Sequence, residues 1–481
     1  SYDEAGQHAE DNGSENMIIH GDNLEALKAL LPRYEGKVKC IYIDPPYNTG
    51  NEGWVYNDNV NDPKIKRWLG EVVGKEGEDL SRHDKWLCMM YPRLKLLQRL
   101  LAEDGAIFIS IDDVEFYNLR LICNEIFGDH NFIATIIWRK NYAPKGTAKH
   151  FSEDHDYILV YGKSAEQWIP HKMPRTEKQN KAYKNPDNDP RGLWRPNNLA
   201  ARNFYSKGTY SITCPSGRVI KGPPAGSYWR VSEEKFWEMD RDGRIWWGKD
   251  GNNVPAPKIF LSEVADGIVP QTFWSYEEVG HTQDAKKEIK TIFTGETPFD
   301  TPKPVRLIER ILQIASDPDS IILDSFAGSG TTAHAVLNMN KADGGNRKFI
   351  LVEMMDYADS ITAERVKRVI DGYGEDKKAV EGTGGNFSYY ELGPVLLLPN
   401  GNLNEEVGPQ KIREYVYYME TKEPLPAEQP TDEPYFMGLC RNTAYYFYYE
   451  RESVTTLDHA FLATVQTKAE GYTIYADLCA I

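Results

Sequence analysis

Several features common in other protein classes are missing from this 481-residue sequence. Only six cysteines are present and no two of them form a CxxC pair, so neither a disulfide framework nor a zinc site is predicted. No run approaches the roughly 20 apolar residues that cross a bilayer, and the polar start is unlike a signal peptide. His150 and His155 are close in sequence, but no His, Cys and carboxylate cluster has metal-ligand spacing. We therefore expect a cytoplasmic protein with reduced thiols, no membrane segment and no bound metal.

Positive charge is also scarce, but it concentrates in one region. The chain carries 56 Lys and Arg against 72 Asp and Glu, a net charge of −16, which alone argues against nucleic-acid binding. Residues 131–230, however, carry 17 Lys and Arg against 7 Asp and Glu. An acidic body with one basic region is typical of a protein that contacts a polyanion through a single surface. The alternative, a chance excess of cations in solvated loops, stays open at this point.

The hydrophobic pattern predicts one α/β sheet interrupted by a long insert. Short apolar runs alternate with helical patterns over residues 17–165, and the alternation returns after Thr301. Between them Pro, Gly, Asn, Arg and Trp dominate and helical periodicity fades. The predicted division is a first core part (1–170), an insert (171–295), a second core part (296–390) and an acidic, Tyr-rich C-terminal appendage (391–481). Because the chain lacks an initiator Met and ends in an apolar segment, we expect residues to be missing at both ends.

Nine elements of this core have definite predicted bounds. The predicted strands are Val38–Ile43, Ala106–Ile111, Phe132–Trp138, Tyr157–Tyr161, Ser320–Phe326 and Lys348–Glu353. The predicted helices are Trp86–Leu101, Pro304–Ala315 and Thr332–Met339. Gly105 is expected to separate the first of these helices from the strand that follows it.

A glycine-rich turn follows one of the predicted strands. The segment Asp324–Thr332, DSFAGSGTT, runs from a strand into a helix, and its glycines let the backbone approach a ligand closely. It is not a phosphate-binding P-loop, because the lysine after the last glycine is absent, and it is not a GxGxxG fingerprint. The next strand ends at Glu353, where a carboxylate can accept both hydroxyls of a ribose. The two features predict a ribose-binding site, with a purely structural turn as the alternative.

A second motif, Asp44-Pro45-Pro46-Tyr47, follows the strand Val38–Ile43. The two prolines fix the backbone and leave the neighbouring carbonyls without local partners. The Asp44 carboxylate and the Pro45 carbonyl then form a preorganised pair of acceptors beside the ring of Tyr47. Such a site suits an amino group on a flat ring, whose lone pair is turned toward an electrophile. The alternative is a proline-rich turn with an exposed tyrosine.

Together the two motifs resemble those of the S-adenosylmethionine-dependent DNA amino-methyltransferases. DPPY precedes FAGSG with the basic insert between them, which is similar to the β order of that family. Four further segments are similar to family motifs: Gly21–Glu25, Trp86–Arg93, Phe108–Asp113 and Thr301–Pro304. The resemblance covers most of residues 17–370. It is closest to the adenine-specific modification subunits of type III restriction–modification systems and their stand-alone relatives, and it includes a less specific stretch within 241–263.

This resemblance implies a Rossmann-like methyltransferase sheet that carries an inserted target-recognition domain. The implied reaction transfers a methyl group from S-adenosyl-L-methionine to N6 of a flipped-out adenine in double-stranded DNA. The implied catalytic residues are Asp44, Pro45, Pro46 and Tyr47. The implied cofactor-binding residues are Asp22, Asp44, Thr301, Lys303, Asp324, Phe326, Gly328, Gly330, Thr331, Thr332 and Glu353. Aspartate at position 44 favours adenine, since cytosine N4 enzymes of the family more often have serine there.

The basic insert is the expected DNA-binding surface. Its candidate contacts are Arg139, Lys140, Arg191, Arg195, Arg202, Arg218, Arg230, Arg241 and Arg244, interleaved with Trp194, Tyr205, Trp229, Trp246 and Trp247. The tryptophans are more often core residues than base contacts, and packing is the favoured role for Trp246 and Trp247.

The expected partners are double-stranded DNA in the bacterial cytoplasm, a second copy of the chain in a homodimer, and a restriction subunit. Any restriction partner must be a separate chain, because no helicase P-loop and no clear nuclease motif is found in this sequence. Three alternatives stay open: methylation of cytosine N4, methylation of RNA or a protein amide, and a catalytically inactive DNA-binding subunit of the same fold.

Overall fold

The computed structural model describes residues 1–10, 12–48, 82–264, 267–427 and 432–481, and these divide into two units. The first unit combines Ser1–His171 with Gln271–Ile481, and the second is Lys172–Pro270. Within the described ranges, no helix has the length and apolarity needed to cross a membrane. In the same ranges, no group of three or more His, Cys, Asp or Glu side chains is arranged to hold a metal ion.

The helices and strands are numbered in chain order over the described residues. The strands are β1 (Tyr2–Asp3), β2 (Gly6–Gln7), β3 (Met17–His20), β4 (Val38–Ile43), β5 (Leu101–Ile111), β6 (Phe132–Arg139), β7 (His155–Gly162), β8 (Trp194–Pro196), β9 (Ala200–Ala201), β10 (Ile212–Thr213), β11 (Val219–Ile220), β12 (Tyr228–Trp229), β13 (Ile245–Trp246), β14 (Ala256–Phe260), β15 (Phe273–Trp274), β16 (Ile321–Asp324), β17 (Lys348–Glu353), β18 (Gly372–Tyr373), β19 (Val380–Glu381), β20 (Asn386–Glu391), β21 (Phe436–Cys440), β22 (Thr443–Phe447), β23 (Thr456–Leu457), β24 (Gly471–Tyr475) and β25 (Leu478–Cys479). The helices are α1 (Asn23–Tyr34), α2 (Arg82–Leu100), α3 (Phe116–Phe127), α4 (Glu177–Asn180), α5 (Glu233–Arg241), α6 (Tyr276–Val279), α7 (Thr282–Ile292), α8 (Val305–Ala315), α9 (Thr331–Asp343), α10 (Glu364–Asp371), α11 (Pro409–Thr421) and α12 (His459–Leu462).

An 11-stranded sheet forms the centre of the first unit, in the order β15-β6-β7-β5-β4-β16-β17-β3-β20-β1-β2. The pairs from β5 through β4, β16, β17 and β3 to β20 are parallel, whereas β7 pairs antiparallel with both β5 and β6. Strands β4 and β16 lie on opposite sides of the insert in the sequence but are neighbours in the sheet. The predicted α/β, Rossmann-like sheet is therefore confirmed, and the insert interrupts one sheet.

The central strands are mostly apolar, as is typical of parallel strands that are covered on both faces. In β4 and β17 nearly every side chain is buried. The covering helices are amphipathic, and α8 buries seven of its residues while Arg306 faces solvent. Strand β5 begins at Leu101, earlier than the predicted start at Ala106. Gly105 permits this extension, since a Cβ there would lie 2.8 Å from the Lys39 carbonyl oxygen of the neighbouring strand.

The second unit has a core of its own. Trp229, Phe236 and Trp247 pack there with smaller apolar side chains from short strands and α5. The unit ends at Pro270, before the predicted insert boundary at residue 295. Residues 271–295 lie with the first unit because β15 pairs in parallel with β6 and α7 packs its apolar face on Ile361. The sequence misses this boundary because a two-residue strand leaves no periodic pattern.

The C-terminal region, predicted as an appendage, belongs to the first unit. Strands β21, β22 and β24 form a small sheet of their own, but Tyr418 of α11 belongs to the main hydrophobic core. Arg99 donates a 3.0 Å hydrogen bond to the Tyr418 hydroxyl, and Arg33 of α1 pairs with Glu414. The C-terminal region thus has small sheets of its own and contacts the main core through α11 and through Leu392, which follows β20.

Candidate active site

Three neighbouring parallel strands end at the same edge of the sheet and place acidic side chains there. Asp44 directly follows β4, Asp324 ends β16 and Glu353 ends β17. In open α/β sheets ligands bind in the crevice outside the carboxyl ends of the strands. A cavity of about 390 Å³ lies at this edge. The predicted site residues that line it are Asp44, Pro45, Pro46, Tyr47, Thr301, Lys303, Asp324, Phe326, Gly328, Thr331, Thr332 and Glu353.

The glycine loop adopts backbone conformations that favour glycine. Gly328 and Gly330 have φ angles of 52° and 84°, and Gly330 is the N-terminal cap of α9. A Cβ at Gly330 would lie 3.1 Å from the carbonyl oxygen of Thr362, tighter than a normal contact. The Thr362 hydroxyl donates a 2.6 Å hydrogen bond to the Gly328 carbonyl. The loop is thereby held tightly against the start of the helical segment that follows β17.

Two buried carboxylates fix the loop from inside the sheet. Asp324 accepts hydrogen bonds from the Phe326 amide at 3.0 Å and the Thr332 hydroxyl at 2.6 Å. Glu353 accepts from the Gly328 amide at 2.7 Å and, through its other oxygen, from the Met355 amide at 3.0 Å. Burial raises the pKa of Asp324 to about 7 and raises the pKa of Glu353 as well.

A buried arginine supports the loop from behind, and the sequence does not predict it. Arg365 of α10 donates hydrogen bonds to the hydroxyls of Ser329 at 2.8 Å and Thr331 at 2.9 Å. Its guanidinium also lies 3.2 Å from His334 Nδ1. Burial lowers the pKa of Arg365 to about 10, and burial and the Arg365 charge hold the pKa of His334 well below its usual range. An arginine within an amphipathic helix carries no sequence signal for this role.

The tetrapeptide forms the opposite wall of the cavity. The Pro46 carbonyl accepts a 2.7 Å hydrogen bond from the indole of Trp86, while the Lys303 ammonium pairs with Asp44 Oδ2 at 2.5 Å. Asp44 Oδ1 is buried and has no hydrogen bond of normal geometry in the described part of the chain, although the Tyr47 hydroxyl lies near the Asp44 carboxylate. The Tyr47 hydroxyl likewise has no hydrogen bond of normal geometry there. Burial, and next the charge of Asp44, raise the pKa of Tyr47 well above its ordinary value.

The backbone just after the tetrapeptide is held by a second buried acid that the sequence does not single out. Asn48, with a φ of 62°, donates a 2.6 Å hydrogen bond to Glu115, whose side chain is fully buried. His83 and Asn118 contact the same carboxylate at 2.6 Å and 2.8 Å. Glu115 therefore links the end of the tetrapeptide to the starts of α2 and α3.

Further charged side chains lie beside Asp44 at the edge where β5 and β6 end and β7 begins. Asp156 is buried and pairs with Lys140 at 2.6 Å. Burial raises the pKa of Asp156, while Lys140 and Lys303 lower it and Asp44 raises it. Burial also raises the pKa of Asp112 to about 6. The predicted DNA contact Lys140 is thus an ion-pair partner next to the cavity.

Two predicted cofactor residues, Gly330 and Asp22, are not among the residues that line the cavity, and Asp22 has another role in the structure. Its Oδ1 caps α1 by accepting from the Leu24 amide at 2.8 Å and the Glu25 amide at 3.3 Å. Its Oδ2 lies 3.5 Å from Arg93. The capping role is visible in the sequence, since aspartate before a helical pattern is a preferred N-cap. A role in cofactor binding stays a prediction.

Within the second unit, the arginines predicted to contact DNA are ion-paired or exposed, except Arg195, which is half-buried and donates a 3.2 Å hydrogen bond to the Tyr183 hydroxyl. Arg191 forms an ion pair with Asp189, and Arg244 forms ion pairs with Asp242 and Glu263. The exposed arginines are Arg202, Arg218, Arg230 and Arg241. Trp194, Trp229 and Trp247 are buried, whereas Trp246 is partly exposed. The three buried tryptophans therefore have a packing role, and for Trp247 this is the role that the sequence favours.

Comparisons with known proteins give a consistent family. The model of the DNA methylase family matches residues 38–364, more than half of the chain. The StyLTI Mod subunit, part of a type III restriction–modification enzyme of Salmonella typhimurium, is 37% identical over 391 residues, which are 75% of this chain and 58% of that protein. The EcoPI Mod subunit of Escherichia phage P1 is 34% identical over 72% of this chain and 58% of its own length.

A shorter relative is matched over more of its length. The type II methyltransferase M.KpnI of Klebsiella pneumoniae is 32% identical over 361 residues, covering 70% of this chain and 80% of that protein. The chain spans less than two thirds of the length of the two Mod subunits. The family match includes both walls of the cavity, the tetrapeptide and the glycine loop, and therefore the chain belongs to the DNA methylase family.

Proposed function

We propose that the chain is a site-specific DNA methyltransferase that uses S-adenosyl-L-methionine to methylate N6 of adenine in double-stranded DNA. The observation that carries this proposal is the single cavity that joins a ribose-type acceptor, Glu353, to an open amine acceptor, Asp44. The two motifs are far apart in the sequence and face the same space of about 390 Å³. Family membership over residues 38–364 supports the same reaction.

The residues of the glycine-loop wall fit S-adenosyl-L-methionine. Glu353 is a buried carboxylate on the cavity lining, suited to the two hydroxyls of the ribose. Gly328 has no side chain, and a Cβ there would lie 3.2 Å from the Phe299 ring, so the glycine keeps room for a ligand. Phe326, Thr331 and the other predicted cofactor residues complete this wall. When bound, S-adenosyl-L-methionine supplies a methyl group attached to a positively charged sulfur.

The tetrapeptide wall binds and orients the target amino group. Asp44 Oδ1, which has no hydrogen bond of normal geometry in the described residues, accepts one N–H of the amine, and the Pro45 carbonyl accepts the other. The base stacks on Tyr47, and stacking of about 1–3 kcal/mol offsets much of the few kcal/mol needed to flip it out of the duplex. With both N–H bonds directed at acceptors, the nitrogen lone pair points into the cavity. After transfer the nitrogen carries one extra proton, which Asp44 Oδ1 is placed to accept.

The remaining parts of the chain are assigned to recognition and assembly. The second unit, Lys172–Pro270, is the target-recognition domain, and its exposed arginines bind phosphates and base edges. The Mod relatives are named as subunits of type III restriction–modification enzymes. By likeness to them, the chain acts in the bacterial cytoplasm as a homodimer that associates with a separate restriction subunit.

One labelling experiment tests the reaction. The purified protein is incubated with tritiated S-adenosyl-L-methionine and unmethylated genomic DNA, and the DNA is digested to nucleosides and chromatographed. Label in N6-methyladenosine is the expected result. Label in N4-methylcytosine would keep the mechanism and change the base. Absence of label from DNA, with S-adenosyl-L-methionine still bound in calorimetry, would contradict the proposal and favour an inactive subunit or a substrate other than DNA.

A further inference from the structure

A loop of the first unit projects from the same edge of the sheet as the tetrapeptide. Residues 140–154 connect β6 to β7, and the register pairs Arg139 with His155 at the base of the loop. Strand β7 starts where β5 ends, with Ile111 opposite Tyr157, and β4 runs parallel to β5 into Asp44. The loop therefore rises beside the cavity.

The loop is an ordered arm. The Lys140 amide donates to the Asp154 carbonyl at 2.9 Å, and the Lys145 amide donates to the Ser152 hydroxyl at 2.6 Å. The base of the arm is tied to α7, because the Thr282 hydroxyl donates to the Lys140 carbonyl at 2.7 Å. A groove of about 880 Å³ runs between the arm and the start of α7.

The surface of the arm combines cations with exposed aromatic rings. Phe151 is 90% exposed and Tyr142 is 63% exposed, which is unusual for large apolar side chains in water. Lys145, Lys149 and His150 are exposed beside them. The Tyr142 ring packs on Tyr276, with ring centres 5.5 Å apart, which leaves Phe151 as the more available ring. Cations next to an exposed aromatic ring are a combination that binds nucleic-acid strands, since the cations contact phosphates and the ring stacks with bases.

We propose that this arm, residues 140–154, is a DNA-binding element that stabilises the duplex from which the target base has been flipped. Phe151 inserts into the gap that the extruded base leaves in the stack, and Lys145 and Lys149 bind the flanking phosphates. An apolar wedge between base steps restores stacking that flipping has removed. The inference rests on the proposed function. It assigns DNA binding to a surface of the first unit, in addition to the exposed arginines of the second unit.

The stacking part is tested with Phe151→Ala. The recognition site is first located by sequencing DNA methylated by the wild-type protein, and matched duplexes are made with the target paired or mismatched. We expect kcat/KM on the paired duplex to fall about 10-fold, because stacking of one base on an aromatic ring contributes about 1–3 kcal/mol. The increase in 2-aminopurine fluorescence that reports base flipping should also become smaller. On the mismatched duplex, where flipping is easier, the loss should be smaller than about 2-fold.

The phosphate part is tested with the double variant Lys145→Ala/Lys149→Ala. Each phosphate contact contributes about 0.9 to the slope of log affinity against log salt concentration, so the slope should decrease by about two. The matched control is Lys377→Ala/Lys378→Ala, two exposed lysines that follow α10 and lie outside the arm. Leu439→Ala, which removes a half-exposed apolar side chain of the C-terminal region, is the control for Phe151→Ala. Neither control should change the DNA measurements.

The outcomes separate this inference from the proposed function. If the wild-type protein methylates DNA while Phe151→Ala keeps full activity on the paired duplex, the insertion role is wrong. An unchanged salt slope in the double lysine variant would overturn the phosphate contacts of the arm. If the wild-type protein methylates no DNA at all, the proposed function itself fails, whatever the arm does.

Discussion

The two walls of the cavity differ in how completely their polar groups are satisfied. On the glycine-loop wall, Asp324 and Glu353 each accept two hydrogen bonds, and Arg365 donates to two hydroxyls. On the tetrapeptide wall, Asp44 Oδ1 and the Tyr47 hydroxyl are buried without a hydrogen bond of normal geometry in the described residues. On the glycine-loop wall both carboxylates are satisfied, although the buried Ser325 hydroxyl of the same loop has no hydrogen bond in the described residues, whereas on the tetrapeptide wall a carboxylate oxygen is itself open.

This difference shows how the fold divides the work of one site. A buried polar group without a partner destabilises a folded protein by about 1–3 kcal/mol, so it persists where a ligand completes it. We call the glycine-loop wall the saturated wall, because its two carboxylates already accept hydrogen bonds from the protein. Such a wall is rigid, and a rigid wall suits a cofactor site. The tetrapeptide wall has a buried acceptor without a hydrogen bond of normal geometry in the described residues, so it binds and orients the group that donates to it. A reacting amine requires this kind of orientation. Four substitutions test this division, from the largest expected effect to the smallest.

Asp44→Ala should have the largest effect on activity. Removing the open acceptor leaves the amine without its charged partner, so we expect kcat to fall on the order of 10²–10³-fold or more, in the range known for loss of one preorganised polar group. The Kd for S-adenosyl-L-methionine, measured by calorimetry, should change by less than about 3-fold because the other wall is intact. Retained turnover with weakened cofactor binding would reverse the assignment of the two walls.

Glu353→Ala should have the opposite signature. The Kd for S-adenosyl-L-methionine should rise about 10- to 100-fold, since hydrogen bonds to charged groups contribute roughly 1.5–3 kcal/mol. The amides of Gly328 and Met355 also lose their acceptor, so the melting temperature should fall. Calorimetry and thermal unfolding measure the two effects. Glu381→Ala, an exposed acid that pairs with Lys341, is the control and should change neither. An unchanged cofactor affinity in Glu353→Ala would place the cofactor elsewhere.

Much of the fold follows from local patterns in the sequence. The predicted strands Val38–Ile43 and Lys348–Glu353 have the observed bounds, and helix α8 begins one residue after the predicted Pro304. These elements are predictable because a strand buried on both faces is a continuous apolar run and a surface helix has a 3.6-residue period. DPPY and FAGSG are equally local, and the structure brings both motifs to one cavity.

The rest depends on contacts between residues that are far apart in the chain. Lys303 meets Asp44 across 259 positions, and Glu115 meets Asn48 across 67. Such pairings arise from the order of strands in the sheet, which no single segment encodes. Arg365 is missed for a related reason, since burial of a cation is decided by the loop packed against it. The boundary at Pro270 was likewise set by a strand pairing, that of β15 with β6.

Asp324→Asn probes the saturated wall through pH. Burial raises the pKa of Asp324 from 3.8 to about 7 in the folded protein. The folded state therefore holds this proton more tightly than the unfolded state, so the contribution to stability is full below pH 3.8 and is lost as pH rises through 7. Asparagine can keep both hydrogen bonds and does not titrate. In urea unfolding, the wild type should lose stability relative to Asp324→Asn between pH 4 and pH 8, by a few kcal/mol.

Titrating groups common to both proteins cancel in that difference, which isolates Asp324. The matched control is Asp319→Asn, an exposed aspartate just before β16, for which the difference from wild type should stay constant with pH. A difference for Asp324→Asn that is equally flat would mean that this carboxyl is ionised throughout and that the wall tolerates a buried charge.

Lys303 connects the two walls and should show the smallest effect. Its ammonium pairs with Asp44 Oδ2 and lies 5.2 Å from the centre of the Tyr47 ring, while its carbonyl accepts from Thr331 of the other wall at 3.3 Å. If the side chain serves the tetrapeptide, Lys303→Met should lower kcat about 2- to 5-fold, since a partly exposed ion pair contributes up to about 1 kcal/mol. Lys303→Arg should restore most of this, and cofactor affinity should change little.

The resemblance to the family assigns Lys303 to the cofactor instead, and the same variant decides between the two roles. A rise of 10-fold or more in the Kd for S-adenosyl-L-methionine, with kcat at saturation unchanged, would place its charge on the cofactor side. A loss confined to kcat would place it with Asp44, where its ammonium offsets the negative charge of a carboxylate whose other oxygen stays open for the amine. The Lys303 ammonium would then orient Asp44, while the Lys303 carbonyl is held to the glycine-loop wall by the hydrogen bond from Thr331.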